Sequence, residues 1–167
     1  MNAVAPARDA ETVSGRPNVR RGMVRVSESV NIDASKETVW EFMDDPHNQP
    51  VISPSITAVS DVDQRPDGKS LECTYSMAGV DLDVTLRTTT YDPGERVVFE
   101  MDDGLDGEIE WRFEAADDGT EVTYAADFGV PGEVMERVVE PLIRRYNERE
   151  LSTTLANLKT RLEVGES

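Results

Sequence analysis

Apolar and polar residues alternate through the first ordered-looking stretch of the chain. Val24, Val26, Val30 and Ile32 are separated by Arg25, Ser27, Asn31 and Asp33, a period of two that predicts a strand with one face in a core. Ala34 to Asp45 then predicts a short helix. Ser35 is placed to cap it, and Val39, Phe42 and Met43 form an apolar face with Trp40 beside them. Pro46, Pro50 and Pro54 restrict the next stretch to loop or a broken helical turn.

From Ile56 to Phe128 the pattern returns to period two. The apolar sets are Leu71/Cys73/Tyr75/Met77, Leu82/Val84/Leu86, Val97/Phe99/Met101, Ile109/Trp111/Phe113 and Val122/Tyr124/Ala126/Phe128. Turn residues punctuate them at Arg65 to Gly68, Asp92 to Gly94 and Asp117 to Gly119. Charged residues such as Glu108, Glu110, Arg112 and Glu114 fill alternate positions, which predicts one antiparallel sheet with an apolar concave face and a wet convex one. After Gly132 the period becomes helical. Met135, Val139, Ile143, Asn147, Leu151, Leu155, Leu158 and Leu162 fall on one stripe. A helix of about thirty residues would span ~45 Å, enough to cross the sheet, and Pro141 should bend or break it. The expected organisation is a loose tail over 1–22, one α+β domain over 23–163 and a short tail over 164–167.

Composition narrows the function. The 167 residues include 34 acidic and 17 basic ones, for a formal net charge of -17. That balance argues against a nucleic-acid partner, which needs clustered Lys and Arg, and against an anionic membrane surface. No apolar run is long enough to span a bilayer, so no membrane insertion is expected. The first 22 residues show no signal-peptide core, so a cytoplasmic location is the expectation. Only Lys36, Lys69 and Lys159 are lysines, and the acid is dispersed along the chain. Such self-repulsion opposes folding at ordinary ionic strength and is screened at molar salt. The pattern resembles proteins of salt-accumulating halophilic archaea. One cysteine, Cys73, excludes an internal disulfide framework.

Candidate chemistry is sparse. Tyr75, Met77, Leu86, Met101, Trp111, Phe113, Tyr124, Phe128, Met135, Val139 and Ile143 occupy inward positions and are candidates for lining an apolar ligand site; the alternative for each is a filled core. Asn147 interrupts the apolar stripe and needs a partner, either a ligand or a group of the protein. Glu28 falls in the apolar phase of the first strand, as an interior acid or at a bulge. His47, the one histidine, has no partners for a zinc site or a triad. The run Asp102 to Gly107 fails as a calcium loop, because Gly104 and Phe113 stand where ligands are required. No metal or cofactor is expected.

Val39-Trp40, followed by Asp45-Pro46-His47-Asn48-Gln49-Pro50 and Pro54, is similar to the motif that opens START-like (SRPBCC) domains, which include polyketide cyclase/dehydrase and coenzyme Q-binding proteins. The element order and Leu155-Ala156-Asn157-Leu158-Lys159 in the final helix resemble theirs too; Ile52 stands where a tryptophan is usual. The resemblance implies a helix-grip (START/Bet v 1-like) fold, in which a curved sheet wraps the long helix around a cavity for apolar molecules. The expected function is binding or carriage of a lipid, polyketide or quinone-like molecule between sheet and C-terminal helix. The alternatives are a cyclase/dehydratase-type enzyme in the same cavity, with Glu28, Tyr75, Tyr124 and His47 as its available acids and bases, and a pocketless protein-interaction module. No convergent acid–base pair is visible in the sequence, which places binding ahead of catalysis.

Overall fold

A computed structural model describes residues 23–77, 79–130, 132 and 140–166. Its strands are β1 (Met23–Ile32), β2 (Ile56–Arg65), β3 (Gly68–Met77), β4 (Val80–Asp92), β5 (Arg96–Asp103), β6 (Asp106–Ala116) and β7 (Gly119–Gly129). They form one antiparallel sheet in the order β1-β7-β6-β5-β4-β3-β2. Consecutive hairpins run from β2 to β7, and β1 closes on β7 with Val26 opposite Ala126 and Glu28 opposite Tyr124. Alternation holds best in β3 and β7, where inward residues are buried. In β5 both Val97 and Val98 are buried, although Val97 pairs with inward Trp111 and Val98 with Glu110 on the other face; the β4–β5 register shifts between Thr88 and Thr90.

Helix α1 (Lys36–Met43) begins where expected, with Ser35 Oγ accepting the Thr38 amide at 3.1 Å. The prolines then allow a single 3₁₀ turn (Pro46–Asn48) and a one-turn helix α2 (Gln49–Ile52). Asp102 to Gly107 is the β5–β6 hairpin connection, not an ion site. His47 lies exposed on the 3₁₀ turn, its Nδ1 3.1 Å from Asp45 Oδ1.

Helix α3 (Glu140–Glu166) spans ~40 Å and crosses the concave face against β1. Ile143, Leu151, Leu155, Leu158 and Leu162 are buried there. Polar straps fix it at both ends: Arg144 donates to the Arg25 carbonyl at 2.9 Å, and Lys159 donates to that of Asn31 at 2.7 Å. Asn157 donates to the Ile52 carbonyl at 2.8 Å, which ties α3 to α2. Ile52 itself is buried, so the smaller residue in the tryptophan's usual place still fills the core. This is the α+β helix-grip arrangement. Pro141 is the second residue of α3 as described; Met135 and Val139 lie outside the described residues, as does any bend before Glu140.

Candidate functional site

A cavity of about 40 Å³ opens under the short helices, room for about three waters. Trp40, Met43, Asp44, Pro46 and Gln49 roof it. Its floor is Ile56, Lys69, Leu71, Leu86, Val97, Phe99, Ile109, Trp111, Phe113 and Tyr124, drawn from β2 to β7. The expected placement is between sheet and C-terminal helix; among the described residues, no α3 side chain lines this cavity. The leucine stripe of α3 packs directly on the sheet, whereas the proline-broken segment above β3 to β6 is too irregular to fill the space beneath it.

Four of the expected lining residues meet here, namely Leu86, Trp111, Phe113 and Tyr124. Tyr75, Met77, Met101, Phe128 and Ile143 are buried in the core away from this cavity. Trp111 stacks on Tyr124 with centroids 3.9 Å apart and planes 13° apart. Trp40 meets Phe113 edge-on at 5.5 Å. Both tryptophans of the chain therefore border the cavity.

One end of the cavity is polar, a feature that the pattern of the sequence did not single out. Lys69 is buried, its side chain 3% exposed. Its Nζ donates to the Asp44 carbonyl at 2.6 Å and to Asp44 Oδ1 at 2.5 Å. The Tyr91 hydroxyl donates to the same Oδ1 at 2.7 Å, and the Tyr91 ring centroid lies 5.3 Å from Nζ. Burial and then the Asp44 carboxylate push the Tyr91 phenol up to about 12. The pair also joins elements, because Asp44 is the C-cap of α1 and a cation beside it complements the helix dipole. The signal was present: Lys69 falls in the inward phase of Leu71, Cys73, Tyr75 and Met77.

A second polar cluster lies deeper, between β3, β7 and α3. Asn147 is fully buried and internally satisfied: its Oδ1 accepts from the Tyr75 hydroxyl at 3.3 Å, and its Nδ2 donates to the Ile143 carbonyl at 2.8 Å. Tyr146 donates to the Ser76 carbonyl and pairs with Ser55 Oγ. Glu150 Oε2 is buried without a hydrogen-bond partner among the described residues. Burial raises the Tyr75, Tyr124 and Tyr146 phenols, and the Glu150 carboxylate adds to each. Burial, with a smaller push from Asp83, lifts the Cys73 thiol to about 11, so it is inert as a nucleophile. Glu28 is partly buried opposite Tyr124 and does not border the cavity. No group of three or more His, Cys, Asp or Glu side chains among the described residues is placed to hold a metal ion. No helix among them is long and apolar enough to cross a membrane.

The sequence profile of one family, described as polyketide cyclase/dehydrase and lipid transport, matches residues 23–163. The chain belongs to that family. No curated protein sequence matches it. The fold is similar to that of the Zhui aromatase/cyclase from Streptomyces sp. R1128, with a TM-score of 0.67 and 18% identity over 84% of this chain and 94% of that one. A protein of Thermus thermophilus matches with a TM-score of 0.73 and 16% identity, over 87% and 99% of the two chains. A START superfamily protein from Mycobacterium smegmatis matches with a TM-score of 0.69 and 19% identity, over 83% and 97%. At these identities the likeness establishes the fold, and within this polyketide cyclase/dehydrase family function must be argued from the site.

Proposed function

We propose that the chain binds or carries an apolar small molecule, of lipid, polyketide or quinone-like character, in the cavity beneath α1 and α2. The observation that carries this reading is the cavity's construction: an aromatic and aliphatic wall with its charged groups confined to one end. Trp40, Met43 and Gln49 are partly exposed at the roof, and Met43 and Gln49 are unbranched side chains that can swing aside to admit a ligand larger than the resting space. We place the protein in the cytoplasm, with its acidic, lysine-poor surface suited to molar salt.

One observation favours a second reading, a cyclase/dehydratase-type enzyme: Lys69 and Asp44 meet on the cavity wall, which supplies the convergent titratable groups that the sequence did not reveal. Native mass spectrometry of protein purified from its own host, followed by solvent extraction, tests the binding reading. The expected result is a discrete apolar adduct that a cavity-filling Ile109→Trp variant loses. An adduct-free mass, together with no binding of an apolar dye in molar salt, overturns it in favour of a pocketless interaction module.

A further inference from the structure

We infer that Lys69 is the head-group anchor of the cavity and selects ligands that present an uncharged carbonyl oxygen; this rests on the cavity reading above. An ammonium carries three N–H donors. Two are spent on Asp44, through its carbonyl and Oδ1. Among the described residues, no hydrogen-bond acceptor takes the third, and beyond Asp44 the ammonium has the weaker contact with the Tyr91 ring, its centroid 5.3 Å from Nζ. The side chain is 3% exposed and borders a cavity whose other walls are largely aliphatic and aromatic. A buried donor without an acceptor is costly, and a ligand oxygen relieves that cost.

Charge decides which oxygen. The Asp44 carboxylate already neutralises Lys69, and the Tyr91 hydroxyl donates to that same carboxylate. A carboxylate ligand would bring a second anion to a site holding one cation and one anion, inside low-dielectric walls. A ketone, quinone or similar carbonyl accepts the remaining N–H without adding charge. The bond is charge-assisted, so it discriminates more strongly than a neutral one.

The test uses the full chain in molar salt and three ligands of one outline: acetophenone, isopropylbenzene and benzoate. Affinity is read from tryptophan emission, corrected for ligand absorbance, since both tryptophans border the cavity. Wild type is expected to bind acetophenone about tenfold more tightly than isopropylbenzene, with benzoate weakest. Lys69→Met is expected to bring the acetophenone-to-isopropylbenzene ratio close to one while still binding both. Because Lys69 also clamps the end of α1, a second readout needs no variant: the carbonyl ¹³C resonance of bound acetophenone in wild type should lie downfield of its position in hexane. Equal affinities for ketone and hydrocarbon, tightest binding of benzoate, an unchanged ratio in Lys69→Met, or a hexane-like resonance each overturn the anchor. Binding without ketone preference removes the anchor alone. Failure of all three ligands to bind removes the cavity reading and the anchor with it.

Discussion

Two neighbouring polar residues on α3 belong to the same polar cluster with opposite consequences. Asn147 has both ends of its amide occupied, by the Tyr75 hydroxyl and the Ile143 carbonyl. Replacing it with leucine would leave the buried Tyr75 hydroxyl without its acceptor, a loss of about 1–3 kcal/mol. Glu150 Oε2 has no such partner, although the carboxylate also meets the Tyr146 hydroxyl, and the buried oxygen carries a desolvation penalty that a methionine would not. Asn147→Leu should lower the urea midpoint, and Glu150→Met should raise it. A fall in Glu150→Met as large as that in Asn147→Leu would show that the carboxylate is a structural partner after all. Neither residue borders the cavity, so ligand affinity should respond to Trp111 before it responds to Asn147.

At the scale of elements, the hairpins depend on a few backbone positions where no side chain fits. Gly107 opens β6 opposite Phe128, with φ of +153°; a Cβ there would stand 2.1 Å from the Asp127 carbonyl oxygen and 2.5 Å from Phe128 Cα. Those are backbone atoms and cannot swing aside. Gly79 has φ of +81° but nothing within 4 Å of its Cβ position. Gly107→Ala should therefore cost roughly 3 kcal/mol by parting β6 from β7, against about 1–2 kcal/mol for Gly79→Ala, which meets only the left-handed backbone penalty. Equilibrium urea unfolding of both variants checks the ordering; equal losses would contradict it. Elements of this kind were legible in the sequence, since period-two runs, turn residues and the leucine stripe are local properties of the chain. The cavity's position was not. It follows from how closely α3 seats on β1, which depends on the distant straps of Arg144, Asn157 and Lys159. Lys69 was legible as a lysine in an apolar phase, but Asp44 and Tyr91, its partners in space, lie 25 and 22 positions away in sequence.

At the scale of the whole molecule, acid outnumbers base two to one, 34 to 17. Ion pairs such as Arg25 with Asp127 at 2.7 Å and Lys36 with Glu95 at 2.6 Å use the scarce cations on the surface. Exposed pairs contribute little each, so the unpaired acid dominates and the net field opposes the compact state. Salt weakens both effects, yet repulsion is the larger, and the balance moves toward the folded form. The urea midpoint should rise steeply as KCl is raised from 0.1 M, and most of the rise should be complete near 1 M, where the Debye length has fallen to about 3 Å. A steady increase far beyond that point would assign the effect to strengthened apolar burial instead. A flat or falling midpoint would mean that the surface pairs outweigh the repulsion, contrary to the charge count. The Lys69–Asp44 pair should take little part in this response, because Lys69 is shielded from the solvent ions that screen the surface. The ketone-to-hydrocarbon affinity ratio should therefore stay nearly constant across the salt range in which overall stability changes most.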